Sequence, residues 1–277
     1  MLLLALDTST HQSSIALCSE DELYSEYTWR SGNNHSVELL QYIQRIVAEN
    51  RLTMQQLDAI AVATGPGSFN GVRVALATAK AFSFSLQKPL VGISTLDIIA
   101  AQQQHWRGPV CAVLEAGRSE LYAACYAFDE QRSEHGESSY HMQQLGDYLL
   151  GAPKQLVAFV QEQVDKRFGV PGERQLPPVL FCGEINEGSR QSLYTHMQES
   201  GALISNLLST RRASTLALLA LERLREGKED DPLALEPLYL RRPSITTSTR
   251  KRPLLDGASQ QSSGHVTTER GEGALRH

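Results

Sequence analysis

Between the apolar run Ile60 to Ala63 and a helical stripe that begins at Val72 stands Gly65-Pro66-Gly67-Ser68-Phe69-Asn70-Gly71-Val72-Arg73. A buried strand, a glycine-rich break and a long helix, in that order, form an α/β unit in which the helix must return over the sheet. Such a loop exposes backbone N–H groups ahead of the positive end of a helix dipole, which suits an anion. It is not a P-loop, because no Gly-Lys-Ser/Thr follows, and it lacks the Rossmann glycine spacing. A tight turn that delivers the helix to an interface would use the same residues, and the loop's chemistry alone does not separate the two.

The flanking sequence extends the α/β pattern. Leu2 to Leu6, Ser14 to Cys18 and Leu23 to Tyr27 are short apolar segments separated by polar breaks, the pattern of a β-meander. From Ser36 to Glu49, Leu39, Leu40, Ile43, Ile46 and Val47 recur at helical spacing against a polar face. Thr53 with Gln56 fits a capping box that opens a short helix before the strand Ile60 to Ala63. Beyond the glycine break, Val72, Leu76, Ala79, Phe82 and Leu86 mark one stripe of a second long helix, and Ala75, Ala77, Ala79 and Ala81 allow a neighbour close approach. Leu90 to Ile93 reads as a strand, and Ser94 with Asp97 caps a helix running to about Gln104. The first hundred residues thus read β-β-β-α-β-α.

A second unit begins at Val110. Val110 to Leu114 and Leu121 to Phe128 read as strands across the turn Glu115 to Ser119, echoing the opening hairpin as a duplicated α/β domain would. Residues from Asp129 to Ser139 are mostly polar, and periodicity from Gln144 to Pro178 is mixed. Val179 to Cys182 reads as a strand, Ala213 to Leu224 as an apolar helix, and Pro237 to Arg241 as a last ordered element. The expected organisation is a subdomain over 1–107, a smaller one over 108–243, and a disordered tail over 244–277, where Ser, Thr, Gly, Arg and Gln dominate.

A chain of 277 residues can bury a substantial core, and its formal charge of -5 argues against a free-standing nucleic-acid binder. Arg241, Arg242, Arg250, Lys251 and Arg252 form a basic cluster at the end of the ordered region, read here as solvated. Cys18, Cys111, Cys125 and Cys182 are scattered without a CxxC pair, as expected for structural thiols. Met1 to Leu6 has no basic leader and falls far below the roughly 20 apolar residues needed to span a membrane, so a cytoplasmic protein with no membrane partner is expected.

The residues suited to chemistry are few. An Asp at the end of a first strand, followed by Thr8 and Ser9, can hold a hydrated metal and wrap a phosphate, although an Asp closing a turn through its side chain gives the same pattern. His11, His35, His105, His135, His141, His196, His265 and His277 include no pair four apart for a metal. HExxH and GxSxG are both missing, so neither zinc nor serine protease chemistry is expected.

Five segments in order resemble the TsaB (YeaZ) family: Leu4 to Ser9; Asn34-His35-Ser36; Gly65 to Phe69 with Gly71 and Arg73; Leu90 to Leu96; and Pro237 to Arg241. The resemblance is strong over roughly 1–128 and returns near the end. It implies an α/β fold of the actin-like ATPase (ASKHA, ribonuclease H-like) type, with two related subdomains and mixed sheets flanked by helices. In that fold two strand hairpins flank a nucleotide, which would make Asp7, Thr8, Ser9, Gly65, Gly67 and Ser68 a weak or vestigial phosphate site.

The resemblance also implies a non-catalytic subunit for threonylcarbamoyladenosine modification of tRNA. Its partners would be the catalytic TsaD in a heterodimer, TsaE, and tRNA through the complex; alone, the chain would form a homodimer. A helical interface would place His35, Leu39, Ile43, Arg73, Leu76, Lys80 and Phe82 against the partner. No cofactor of its own is expected, and any ATP would sit at the interface of the complex. Asn70 stands where the family usually has Thr, and Glu115 where it usually has Asp, which weakens the second phosphate site. The competing reading is a small-molecule kinase or ATPase using Asp7 and the glycine loop.

Overall fold

The computed structural model describes residues 1–32, 34–132, 138–169, 177–197 and 201–241; the tail expected over 244–277 lies outside them. The opening meander is β1 (Leu3–Asp7), β2 (Gln12–Cys18) and β3 (Leu23–Arg30), paired antiparallel. A helix, α1 (His35–Glu49), and a 3-10 turn at Met54–Gln56 lead to β4 (Ala59–Ala63), which lies parallel to β1. The glycine break then delivers α2 (Phe69–Leu86), and β5 (Leu90–Ile93) pairs parallel with β4. The resulting mixed sheet runs β3-β2-β1-β4-β5.

β1 and β4 are buried on both faces, as the continuous apolar runs require. On one face Leu4, Leu6, Ile60 and Val62 meet the Leu39, Ile43 and Ile46 stripe of α1 and the Ala75, Leu76 and Ala79 stripe of α2. Each large aliphatic side chain removed from water here contributes roughly 1.5–3 kcal/mol of transfer free energy.

The second half repeats the first. Following α3 (Thr95–Ala101), the strands β6 (Val110–Gly117), β7 (Glu120–Arg132) and β8 (Ser138–Gly151) form an antiparallel meander. Next come α4 (Pro153–Phe168), β9 (Val179–Glu184), α5 (Glu187–Met197), β10 (Gly201–Leu203) and α6 (Ala213–Arg225). The order β10-β9-β6-β7-β8, with β9 parallel to β6 and to β10, is that of the first sheet. Both halves therefore read β-β-β-α-β-α-β-α.

The last helix of each half crosses to the other. Leu96, Ile99 and Ala100 of α3 pack on Val110, Ala112 and Leu114 of β6, whereas Ala213, Leu216, Ala217 and Ala220 of α6 pack on Leu3, Ala5, Ala61 and Val91 of the first sheet. The chain is thus layered as α1 and α2, first sheet, α6 and α3, second sheet, α4 and α5. A cut at residue 107 divides the strands of the two sheets but not these layers.

Two elements differ from their sequence patterns. β8 occupies part of the stretch read as polar and mixed; it is an edge strand, so only Leu145 of its aliphatic residues is fully covered and its apolar alternation is diluted. The narrow stripe of α5 has only Ser189, Leu193 and Met197 buried. Pro237–Arg241 is ordered without being helix or strand: Leu238 N–H donates to the Thr64 carbonyl at 2.8 Å, and Tyr239 stacks on Phe69 at 5.6 Å.

Candidate functional site

The carboxyl end of β1 and the end of β9 approach one another where the two sheets meet. Asp7 is 1 % exposed there, and its Oδ1 accepts from the Ser9 amide at 2.8 Å and from the Ser9 hydroxyl. Its Oδ2 accepts from Arg211 Nε at 2.8 Å. Arg211 also donates through Nη1 to Glu184 Oε1 and through Nη2 to Thr10 Oγ1 at 3.0 Å and the Gln12 carbonyl at 2.8 Å. Thr10 Oγ1 completes the ring by donating to Glu184 Oε2 at 2.7 Å.

This fully buried guanidinium therefore bridges the β1–β2 turn and β9. Burial alone would lower its pKa, but the charges of Asp7 and then Glu184 hold it above the ordinary arginine value. The segment carrying it is pinned on both sides. Gln102 donates to the Thr210 carbonyl and accepts from Arg212 N–H, both at 3.0 Å, while Glu26 accepts from Ser214 N–H at 2.8 Å and pairs with Arg212. Removing one member of a buried pair leaves an uncompensated charge, at a cost of about 3–5 kcal/mol.

The glycine break lies directly on the β1–β2 turn. Ser68 caps α2 through its side chain, and its own N–H donates to the Ser9 carbonyl at 2.6 Å; Thr8 Oγ1 donates to the Gly71 carbonyl at 2.7 Å. Cβ atoms at Gly67 and Gly71 would lie 2.1 Å and 2.0 Å from the carbonyl oxygens of Ser9 and Thr8. Only hydrogen fits between these two backbones. The structure thus brings Asp7, Thr8, Ser9, Gly67 and Ser68 together, with Gly65 joined to Pro66 by a cis peptide, but their polar groups serve one another.

A metal–nucleotide does not fit this arrangement. The Asp7 oxygens accept three protein hydrogen bonds, a guanidinium stands against the carboxylate, and the loop N–H nearest the turn is committed to a carbonyl. Among the described residues no group of three or more His, Cys, Asp or Glu is placed to hold a metal. Glu115, the acidic residue of the second hairpin, accepts from Asn186 N–H at 2.9 Å.

The residues expected at a partner interface divide between two faces. Leu39, Ile43 and Leu76 are 0 %, 2 % and 4 % exposed and belong to the core beneath α1 and α2, so they cannot face a partner; hydrophobic spacing locates a buried stripe and does not say what buries it. Phe82 is partly buried against the same core. Arg73 is exposed and lies 4.9 Å over the Phe69 ring, while Lys80 is partly exposed. His35 opens α1, with Nδ1 shielded and lacking a hydrogen-bond partner. The outward face instead presents Val37, Leu40, Ala77, Ala81 and Phe84; Phe84 is 72 % exposed. A cleft of about 780 Å³ lies beside them, lined in part by His11, His35, Asn70, Arg73 and Ala77.

Arg211 and Glu184 were not evident from sequence. Glu184 follows a strand and a glycine and could have been noticed as a second acidic strand end, but Arg211-Arg212 ahead of α6 carries no motif. No helix among the described residues is long and apolar enough to cross a membrane.

Comparison with known proteins assigns the family. Residues 29–249 match the family model described as TsaD: tRNA N6-adenosine threonylcarbamoyltransferase. The chain is 28 % identical over 241 residues to the tRNA threonylcarbamoyladenosine biosynthesis protein TsaB of Bacillus subtilis, covering 87 % of this chain and 94 % of that one. It is 29 % identical to the TsaB of Haemophilus influenzae, with the same coverage of both chains. The solved structure of YeaZ from Pseudomonas aeruginosa superposes with a TM-score of 0.65 at 26 % identity, covering 86 % of this chain and 99 % of that one. A second Pseudomonas aeruginosa structure, described as similar to peptidase YeaZ, gives 0.66 at 27 % identity, with coverage of 87 % and 99 %. With the duplicated mixed sheets, the glycine break seated on the β1–β2 turn and these relatives along nearly their whole length, the chain belongs to the TsaB (YeaZ) family, of actin-like α/β fold.

Proposed function

We propose that this chain acts in threonylcarbamoyladenosine modification of tRNA as a non-catalytic subunit, pairing with the catalytic TsaD, with TsaE as a further member of the complex and tRNA reached through it. The observation that carries the pairing is the outward face of α1 and α2. Val37, Leu40 and Phe84 are 56 %, 45 % and 72 % exposed, alongside the small Ala77 and Ala81, which let a second helix approach closely. Alone, the same face would pair with a second copy of the chain.

The non-catalytic part of the reading is supported by the occupation of Asp7 and the glycine break by protein groups, which also disfavours the kinase alternative. Any ATP in the assembly would then sit at the subunit interface. The test is co-purification with TsaD from the same organism and tRNA threonylcarbamoylation measured with and without this chain. A stable complex with dependent modification is expected; undiminished modification by TsaD and TsaE alone would refute the proposal.

A further inference from the structure

We propose that Arg211 is a built-in cation that permanently closes the cleft between the two sheets, doing there what a bound divalent ion would do and denying the place to metal and nucleotide. The geometry carries this. The guanidinium is 0 % exposed and lies between a carboxylate at the end of β1 and one at the end of β9. The carboxyl ends of strands are where open α/β sheets ordinarily bind ligands.

Four donated hydrogen bonds reach both sides of the cleft: Asp7, Thr10 and Gln12 on the β1–β2 turn, and Glu184 on β9. An arginine is protonated at all accessible pH, so the cation itself is not lost by titration. Its planar fork serves two carboxylates, a hydroxyl and a carbonyl at once, four acceptors against the three donors of a lysine. Gln102 and Glu26 hold the residues on either side, so the side chain enters the cleft from a fixed base. The chain thereby keeps one disposition of its two sheets without a ligand.

This deepens the non-catalytic reading and is tested separately from it. The full-length chain and its Arg211→Met variant are titrated with Mn²⁺, read by the paramagnetic signal of the free ion, and with Mg-ATP, read by calorimetry. The unaltered chain is expected to bind neither at this cleft. Arg211→Met frees Asp7 Oδ2 and Glu184 Oε1, and its Mn²⁺ affinity is expected to rise about tenfold or more. Adding Asp7→Asn to that variant should abolish the gain.

A folded Arg211→Met that gains no Mn²⁺ affinity would overturn the inference, as would Mg-ATP binding by the unaltered chain that is lost in Asp7→Asn. Glu184→Ala removes a partly exposed acceptor altogether and serves if Arg211→Met does not fold. Amide hydrogen exchange across residues 8–12 and 183–186 is expected to quicken about tenfold in it, the equivalent of one broken cross-cleft tie; unchanged exchange would also overturn the inference. If modification of tRNA depends on this chain while the Mn²⁺ and exchange results go the other way, the cation inference alone fails. If modification is independent of it, the subunit reading alone fails.

Discussion

Replacing Gly71 by Ala tests whether the glycine break is a close-packed joint. In an ordinary helix the change favours folding by up to about 1 kcal/mol. Here Gly71 sits in the first turn of α2, and the new methyl carbon would lie 2.0 Å from the Thr8 carbonyl oxygen. Ordinary contact is about 3.5 Å, so helix and turn must part by about 1.5 Å. Overpacking of this kind costs about 1–3 kcal/mol. Parting also strains the buried Thr8 Oγ1 to Gly71 carbonyl bond, now 2.7 Å, and an unsatisfied buried hydroxyl costs about 1–3 kcal/mol more. After subtracting the helix-propensity gain, the net loss is about 3 kcal/mol. At about 2–4 °C per kcal/mol for a domain of this size, Tm falls by about 6–12 °C. Differential scanning calorimetry and urea unfolding measure it, with Ala81→Gly on the exposed face of α2 as a propensity control expected to lose about 1 kcal/mol. An unchanged or higher Tm for Gly71→Ala would refute the reasoning, since the joint would then have room to yield.

Three further outcomes are expected. Ala77→Arg, on the outward face of α2, should leave stability within the range of about 0.5 kcal/mol typical of surface changes while weakening co-purification with TsaD about tenfold; unchanged pairing would exclude this face. Burial pushes the Asp97 carboxyl up despite its bond from Tyr126 Oη at 2.6 Å, so its folded pKa exceeds the unfolded one. Its contribution to stability is therefore full below about pH 4 and lost as pH rises through the folded pKa, and Asp97→Asn should gain stability relative to the unaltered chain between pH 4.5 and 7.5 in urea unfolding; a relative loss would contradict the sign. All four cysteines are buried, and burial pushes the Cys18 thiol up to about 11 and raises the Cys111 and Cys182 thiols as well, so a thiol reagent at pH 8 should label the chain only as it unfolds. Rapid labelling of the native protein would show that one thiol is reachable.

The parts of the fold legible in sequence are those where burial is two-sided or periodic. Leu3 to Leu6 and Ile60 to Ala63 announce central strands because both faces are covered, and the α1 and α2 stripes follow directly. β8 escaped because an edge strand needs fewer apolar residues, and α5 because one Leu and one Met hold its stripe. Local pattern marked the Asp7 turn and the glycine break separately, and it was the family resemblance that implied one site for them; neither could reveal that Arg211, 204 positions along the chain from Asp7, fills it. Nor could spacing alone show that Leu39, Ile43 and Leu76 face inward to this chain's own sheet and not outward to another protein.

The crossing of α3 and α6 makes the halves mutually dependent. Each sheet is roofed by a helix encoded in the other repeat, so neither repeat carries a complete set of walls for its own interior. A chain severed in the 102–109 connection should yield two fragments that are insoluble when expressed singly and recover a folded pair when expressed together. Soluble, cooperatively melting single fragments would show that each repeat can roof itself. Two such repeats as separate copies would each complete the other's core by exchanging a terminal helix, a symmetric swap that the single polypeptide makes permanent while leaving its two outer helical faces different in sequence.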